Sequence, residues 1–392
     1  MEDVVISSAV RTPMGGFQGD LGNFSASELG GKAIQGAMEK AEITHVDEVI
    51  MGNVLGAGQG QAPARQASFA AGLDETVPAT TLNKMCGSGM KAAMIGFDQI
   101  KLGQSQTLAV GGMESMSNAP YLLPKMRSGA RLGHGKVVDH MFLDGLEDAY
   151  EPGRLMGTFA EDCAEKYQFT REAQDEYALT SLENSLSAQK VGAFENEIRA
   201  VEVTDRKGAK SLVLFDEQPQ NARPDKIPHL KPAFRKNGTV TPANSSSISD
   251  GAAALILASK SYSENEGLPI RARILGHSSY AHAPGLFTTA PVYAVKNLLK
   301  SIDWSIGMVD LWEVNEAFAV VPMAFMQELD ISRKILNVHG GACAIGHPIG
   351  ASGARIMVTL LNALERYDLK RGVAAVCIGG GEGTAIAIER AQ

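Results

Sequence analysis

GSGMKAAMIG, residues 87–96, and GASGARIMV, residues 350–358, are two glycine-rich turns that each run into an apolar repeat of helical period. In the first, Met90, Ala93, Met94 and Phe97 recur at helix spacing until Gly103 stops the pattern. In the second, Ile356, Met357, Leu360, Leu361 and Leu364 do the same. The likeness widens on both sides. VDEVIMGNV (46–54) and LAVGGMES (108–115) flank the first helix, while VDLWEVNEAF (309–318) and AVCIGGGEG (375–383) flank the second, in the same order and at similar spacing. This is the pattern of a duplicated α/β unit.

Short unbroken apolar runs predict strands at residues 4–7, 49–51, 107–110, 252–257 and 373–378. Runs apolar at every position suit parallel strands buried on both faces. Residues 118–249 break the rhythm. They carry APYLLPKMRSGARLGHGK, an amphipathic helix at 171–190, and DEQPQNARPDKIPHLKPAFRKNGTVTPANSSS, rich in Pro, Lys, Arg and Asn, before DGAAALILA returns the chain to the sheet. The chain therefore divides into a first α/β unit (1–117), an inserted loop domain (118–249), the return strand of the first unit (250–268) and a second unit (269–392). Within the insertion Arg223, Lys226, Lys231, Arg235 and Lys236 offer either a phosphate site or a solvated surface.

The 392 residues are enough for two or three domains, and 44% hydrophobic residues with 42 glycines favour a packed α/β protein. A net charge of −8 gives no general attraction for nucleic acid or an anionic membrane. No apolar stretch approaches a membrane span. MEDVVISSAVRT is unlike a signal or transit peptide. Four scattered cysteines, at 86, 163, 343 and 377, suit a reducing compartment, with the cytoplasm as the expected location.

Cys86 stands where ATTLN turns into a helix, and free N–H groups at a helix start lower a thiol pKa, which would make it a nucleophile. His347 occupies the matching turn of the other unit; the same dipole favours the neutral ring, able to take a proton from a thiol. Cys377 ends an apolar strand ahead of GGGEG, and Asn315 follows another such run, so all four fall on one sheet edge with complementary roles. A small buried cysteine and a packing histidine are the plainer readings of each residue alone. His339, Cys343 and His347, spaced by four, would face one way on a helix like metal ligands, but GGACAIGHP is a poor helix and no metal is expected. Neither dinucleotide nor P-loop glycine patterns are present.

NKMCGSGMKA, NEAF, GGACAIGHPIGASGAR and CIGGGEG, taken in this order, resemble the signature blocks of the thiolase family, the acetyl-CoA acetyltransferases and 3-ketoacyl-CoA thiolases, and the resemblance covers essentially the whole chain. It implies a duplicated five-layer αβαβα fold with an inserted loop domain, and acetyl-CoA C-acetyltransferase activity of a kind used in fatty acid metabolism. By resemblance Cys86 takes the acyl group, His347 removes its proton, and Cys377 acts as base on a second acetyl-CoA. His347 with a water held by Asn315 would stabilise one thioester oxygen, and the N–H groups of Cys86 and Gly379 the other. Ser246 matches a pantetheine contact, and Leu146, Leu155, Met156, Arg223, Phe234, Phe287, Ala317 and Phe318 complete the implied substrate-binding set. Acetyl-CoA, acetoacetyl-CoA and CoA are the implied partners, with no resident cofactor, in a homodimer or homotetramer. Leu155 stands where strict acetoacetyl-CoA-forming members have histidine, and Phe287 where they have methionine, so a degradative enzyme of broader chain length is the alternative. A non-catalytic acyl-CoA-binding relative would lack one of Cys86, His347 or Cys377. A decarboxylating synthase would carry a second histidine in place of Cys377.

Overall fold

The structure, a computed structural model, describes residues 2–205 and 207–391. Its main strands are β1 (Val4–Arg11), β2 (Glu48–Gly52), β3 (Ala79–Leu82), β4 (Thr107–Ser115), β5 (Ser249–Ser259), β6 (Ala272–Ala281), β7 (Leu311–Val314), β8 (Arg371–Ile378) and β9 (Glu382–Arg390). They form two half-sheets, β1-β5-β4-β2-β3 and β6-β9-β8-β7. Among the described residues, the strands of the two halves pair only where Val4–Ile6 meet Ala272–Ile274.

Strand direction departs from expectation. β5 is antiparallel to both β1 and β4, and β9 to both β6 and β8; only β2 with its two neighbours and β7 with β8 run parallel. The unbroken apolar runs have another cause, since each half-sheet is covered by helices on both faces. Val49 and Met51 face one apolar cluster and Ile50 another; Val373 and Ala375 alternate with Ala374 and Val376 in the same way. Two-sided burial reports the layers and not the direction.

Those layers come from α1 (Ala26–Ala41), α2 (Ser88–Lys101), α3 (Met156–Tyr167), α4 (Arg171–Lys190), α5 (Ala290–Ser301), α6 (Val320–Leu329) and α7 (Ser352–Arg366). α1 covers the outside of the first half-sheet, α5 the outside of the second, and α2 and α7 lie between the two, giving five layers. In the central layer Met90, Phe97, Ile356 and Leu360 pack against Val110 and Leu255 of one half-sheet and Val376 and Ile386 of the other. α7 is buried from Ser352 to Leu364 on every side, so its polar residues need partners inside: Thr359 donates to Glu197, and Asn362 accepts from Arg271.

The duplication is visible in matched atoms. Asp47 accepts from the N–H groups of Gln106 and Thr107 at the start of β4, and Asp310 accepts from those of Lys370 and Arg371 at the start of β8. Where α2 crosses α7, a Cβ on Gly89 would stand 2.8 Å from the Ala354 nitrogen, and one on Gly353 would stand 2.5 Å from the Met90 nitrogen. Glycine is needed at both places because backbone meets backbone.

Between β4 and β5 the chain makes α3, α4 and long loops. Thr170 caps α4 by accepting from the Ala173 N–H. α4 is tied to the second unit by Tyr177 and Ser181, whose hydroxyls donate to Glu316.

Replacing Gly353 by alanine should destabilise the fold by about 1–3 kcal/mol, the usual cost of overpacking. Gly135→Ala, where an added Cβ meets nothing within 4 Å, should leave the denaturation midpoint unchanged. Urea titration of the two variants checks the difference, and equal midpoints would refute the close crossing.

Candidate active site

Cys86 lies in the turn entering α2. Met85 adopts a left-handed φ of 47° there, a conformation that costs a non-glycine residue of order 1 kcal/mol and must be held in place. The Met85 N–H donates to Asn83, the Ser88 hydroxyl donates to the Met85 carbonyl at 2.6 Å, and the Lys84 N–H donates to Ser88 at 2.8 Å. Gly87 leaves room for Ile378, whose side chain lies 2.5 Å from where a Cβ would be. That approach brings the β8–β9 turn to the thiol. The N–H groups of Gly379 and of Cys86 itself lie near enough to the Cys86 sulfur to favour its charged form, and a Lys84–Glu382 ion pair holds the two turns together.

His347 enters from the matching turn. Gly346, at φ 108°, permits a backbone path in which a Cβ would collide with the Ser249 hydroxyl at 2.2 Å. The His347 N–H is shared by the Ser247 carbonyl and the Ser249 hydroxyl, each at 3.2 Å. The ring bonds through Nδ1 to Ser352, while Nε2 is buried without a partner. Burial, with a smaller push from the Arg355 charge, drives its pKa down to about 3. The ring is neutral, as expected, though desolvation and not the helix end is the main cause.

Cys86 corrects the sequence-based expectation. Desolvation outweighs the N–H groups aimed at its sulfur and pushes the thiol up to about 11. A thiol held so firmly protonated cannot act as a preformed thiolate; it needs a base at the moment of attack.

Both residues line one cavity of about 370 Å³, with Gly379, Leu146, Leu155, Met156, Phe234, Ser246, Phe287, Ala317 and Phe318. Cys377 and Asn315 are fully buried and lie outside that lining. Cys377 is close enough to Cys86 to feel its charge, and burial first, then the Cys86 sulfur, holds its pKa far above the ordinary value; its own N–H and that of Ala317 oppose the shift. Asn315 donates its N–H to Ala375 at 3.0 Å, and neither atom of its side-chain amide has a partner. A buried amide left open on both atoms suits a held water.

Arg223 is not in this cavity. With Lys226 it lines an adjoining one of about 300 Å³ that shares Pro242 and Ser247 with the first. The rest of the expected basic cluster disperses: Arg235 is paired with Asp162 and Glu165, while Lys231 and Lys236 are exposed outside both cavities. His339, Cys343 and His347 do not converge either. His339 bonds Tyr367 at 3.1 Å, Cys343 bonds Glu316, and His347 bonds Ser352.

The far wall is aromatic. The Phe234 and Phe318 rings meet edge to face at 6.0 Å, and Phe287 meets Phe159 the same way at 6.2 Å. Gly157 seats Phe234, because a Cβ there would fall 2.3 Å from the ring. Sequence reasoning missed two buried carboxylates that tie the loops. Glu316 accepts from Tyr177, Ser181, Asn337 and the Cys343 N–H; Glu114 accepts from Asn53 and from the N–H groups of Val54, Leu55 and Gly350. Burial raises the Glu114 carboxyl to about 7. Glu316 sits inside the quoted NEAF block and Glu114 inside the repeat GGMES, the signals that could have found them.

A thiol, a neutral imidazole, two N–H donors at one sulfur and a second thiol define an acyl-transfer site on a duplicated α/β fold. The thiolase N-terminal domain matches over residues 4–261 and the thiolase C-terminal domain over 268–390, so the chain belongs to the thiolase family. It is 49% identical over 392 residues to a probable acetyl-CoA acetyltransferase of Dictyostelium discoideum, covering all of this chain and 94% of that protein. It is 48% identical over 395 residues to the acetyl-CoA acetyltransferase of Escherichia coli, covering the whole of both. Among solved structures, the acetyl-CoA acetyltransferase of Bacillus anthracis superposes with a TM-score of 0.96 at 40% identity, over 100% of this chain and 99% of that one. The Acat5 thiolase of Ascaris suum in complex with coenzyme A superposes with 0.93 at 41% identity over the whole of both chains.

Protonating His347 removes the base, so acyl transfer must fall on the acid side. Because burial lowers the ring from 6.5 to about 3, the fall belongs well below the usual histidine range. The kcat/KM for acetyl transfer should therefore be flat from about pH 6 to 8. An acid limb centred near 6.5 would show the imidazole to be solvated.

Proposed function

We propose that this protein is an acetyl-CoA C-acetyltransferase, joining two acetyl-CoA into acetoacetyl-CoA and CoA by a reversible ping-pong Claisen condensation. The observation that carries this reading is that Cys86, His347 and Gly379 line one cavity, with the imidazole Nε2 buried and without a partner among the described residues. In the first half-reaction His347 takes the thiol proton as the sulfur attacks the thioester carbonyl. The oxyanion receives the two N–H groups; the carbon–sulfur bond to CoA breaks, and the CoA sulfur takes the proton from His347. Acetyl-Cys86 remains.

In the second half-reaction His347 takes the Cys377 proton, and the thiolate so formed removes a methyl proton from the next acetyl-CoA. The carbanion attacks acetyl-Cys86, the bond to Cys86 breaks, and the Cys86 sulfur takes the proton from His347, while Cys377 keeps the methyl proton and is a thiol again. The high pKa of Cys377 suits this task, since a thiolate destabilised by burial is the stronger base toward carbon. His347 and a water on Asn315 receive the enolate oxygen. Arg223 and Lys226 in the adjoining cavity suit the phosphates of CoA.

Side chains supply the nucleophile and the bases, and backbone N–H groups with His347 supply the oxyanion donors, so the reading needs no resident cofactor. An assembly of two or four copies is part of the proposal: β3 lies at the end of the sheet path, and Tyr121, Leu132 and Tyr150 stand exposed on the inserted loops. A cytoplasmic setting, with a role in fatty acid metabolism, completes it, favoured by four free thiols.

Incubation with radiolabelled acetyl-CoA followed by peptide mapping should place the label on Cys86. Cys377→Ser should still accept that label while losing about 10²–10⁴-fold in condensation. Label on Cys163 or Cys343, or equal loss of both steps, would overturn the assignment.

Phe287, 3% exposed and braced by Phe159 and Phe318, closes the acyl end of the cavity with a rigid side chain. Thiolysis of acetoacetyl-CoA should then exceed that of six- and ten-carbon 3-ketoacyl-CoAs in kcat/KM, and Phe287→Ala should narrow the gap. A wild-type preference for the ten-carbon substrate would favour the degradative alternative.

A further inference from the structure

Ser352 opens α7 and is fully buried. Its hydroxyl lies 2.9 Å from the Pro348 carbonyl and within hydrogen-bond reach of His347 Nδ1. A hydroxyl has one proton to give. The carbonyl accepts only, so a proton between Oγ and Pro348 leaves Oγ an acceptor toward the ring, and Nδ1 must carry hydrogen. The opposite arrangement sets two oxygens 2.9 Å apart with no proton between them. It also moves the ring hydrogen to Nε2, which is buried and has no partner.

The duplicated unit offers an independent check of polarity. Ser88 matches Ser352 in the repeat; its hydroxyl donates to the Met85 carbonyl at 2.6 Å and accepts from the Lys84 N–H at 2.8 Å. There the accepting side faces a backbone N–H, which has only one polarity. The same hydroxyl at the same helix start thus serves both halves, once to hold the turn of Cys86 and once to hold the ring of His347.

We propose that Ser352 is a positioning residue that fixes His347 in the Nδ1–H tautomer, leaving the Nε2 lone pair toward the cavity. The proposal rests on the reading of His347 as the base for Cys86. Without the Ser352 oxygen, the ring is free to populate the other tautomer and to rotate about its side-chain bonds, so fewer molecules present a basic nitrogen.

The test uses full-length protein labelled with ¹⁵N-histidine, the His347 ring being assigned by its loss in His347→Gln. The wild type should show protonated Nδ1 and unprotonated Nε2. Ser352→Ala should mix the tautomers and slow single-turnover acetylation of Cys86 on the order of 10-fold, with KM for acetyl-CoA unchanged, and Ser352→Thr, which keeps the oxygen, should recover most of the rate. An Nε2–H ring in the wild type overturns the proposal whether or not Ser352→Ala folds, as does Ser352→Ala acetylating at the wild-type rate. Acetylation unimpaired in His347→Gln would instead overturn the base reading beneath it.

Discussion

The close crossing of α2 and α7 is the constraint on which the rest of the molecule depends. Gly89 rests on Ala354 and Gly353 on Met90, with room for no side chain at either contact. This spacing sets the thickness of the central layer, and therefore the separation of the two half-sheets that sandwich it. It also sets the distance between the two turns that precede these helices, one carrying Cys86 and the other His347. A site that needs a thiol and an imidazole within proton-transfer reach is built by letting two backbones touch.

Burial does the chemical tuning, and it works in opposite directions on the two partners. The apolar cavity pushes the Cys86 thiol up to about 11 and the His347 ring down to about 3. Both groups are neutral at rest, and neither charge is stored before substrate binds. The proton moves only when attack on a thioester places negative charge where the N–H groups of Cys86 and Gly379 already point. Preorganised donors and an unpartnered lone pair replace a standing thiolate–imidazolium pair.

The inserted segment builds the other half of the cavity. Leu146, Leu155, Met156 and Phe234 come from it, and α4 locks it to the second unit through Tyr177, Ser181 and Glu316. Glu316 adjoins Asn315 and Ala317, so the carboxylate that anchors the insertion also anchors the loop that carries the Asn315 amide and the Ala317 N–H, which acts on Cys377. Substrate-facing walls and catalytic loop are thereby held by one set of hydrogen bonds.

Much of this was legible in the chain, because a repeat and a helix start are local. The two glycine turns, the apolar periods after them and the matched blocks around them sufficed for the duplication, for α2, α4 and α7, and for Cys86, His347, Asn315 and Cys377 on one edge. Four things were not local. Strand direction was misjudged, since runs such as 252–257 record helices on both faces and are silent on the neighbouring strand. The pKa of Cys86 was misjudged in sign, since desolvation depends on Phe318, Ile349 and other walls brought from distant segments. Arg223 and Lys226 were read together with Lys231, Arg235 and Lys236, which the fold carries elsewhere, and Ser352 was seen only as part of a helix opening, because a hydroxyl becomes a partner of an imidazole only when the turn at Gly346 has folded back. Sequence alone determined which chemical groups this protein owns and the order in which it presents them. Tertiary structure decided which of them lose water and which atom faces which, and those two quantities set the proton's place.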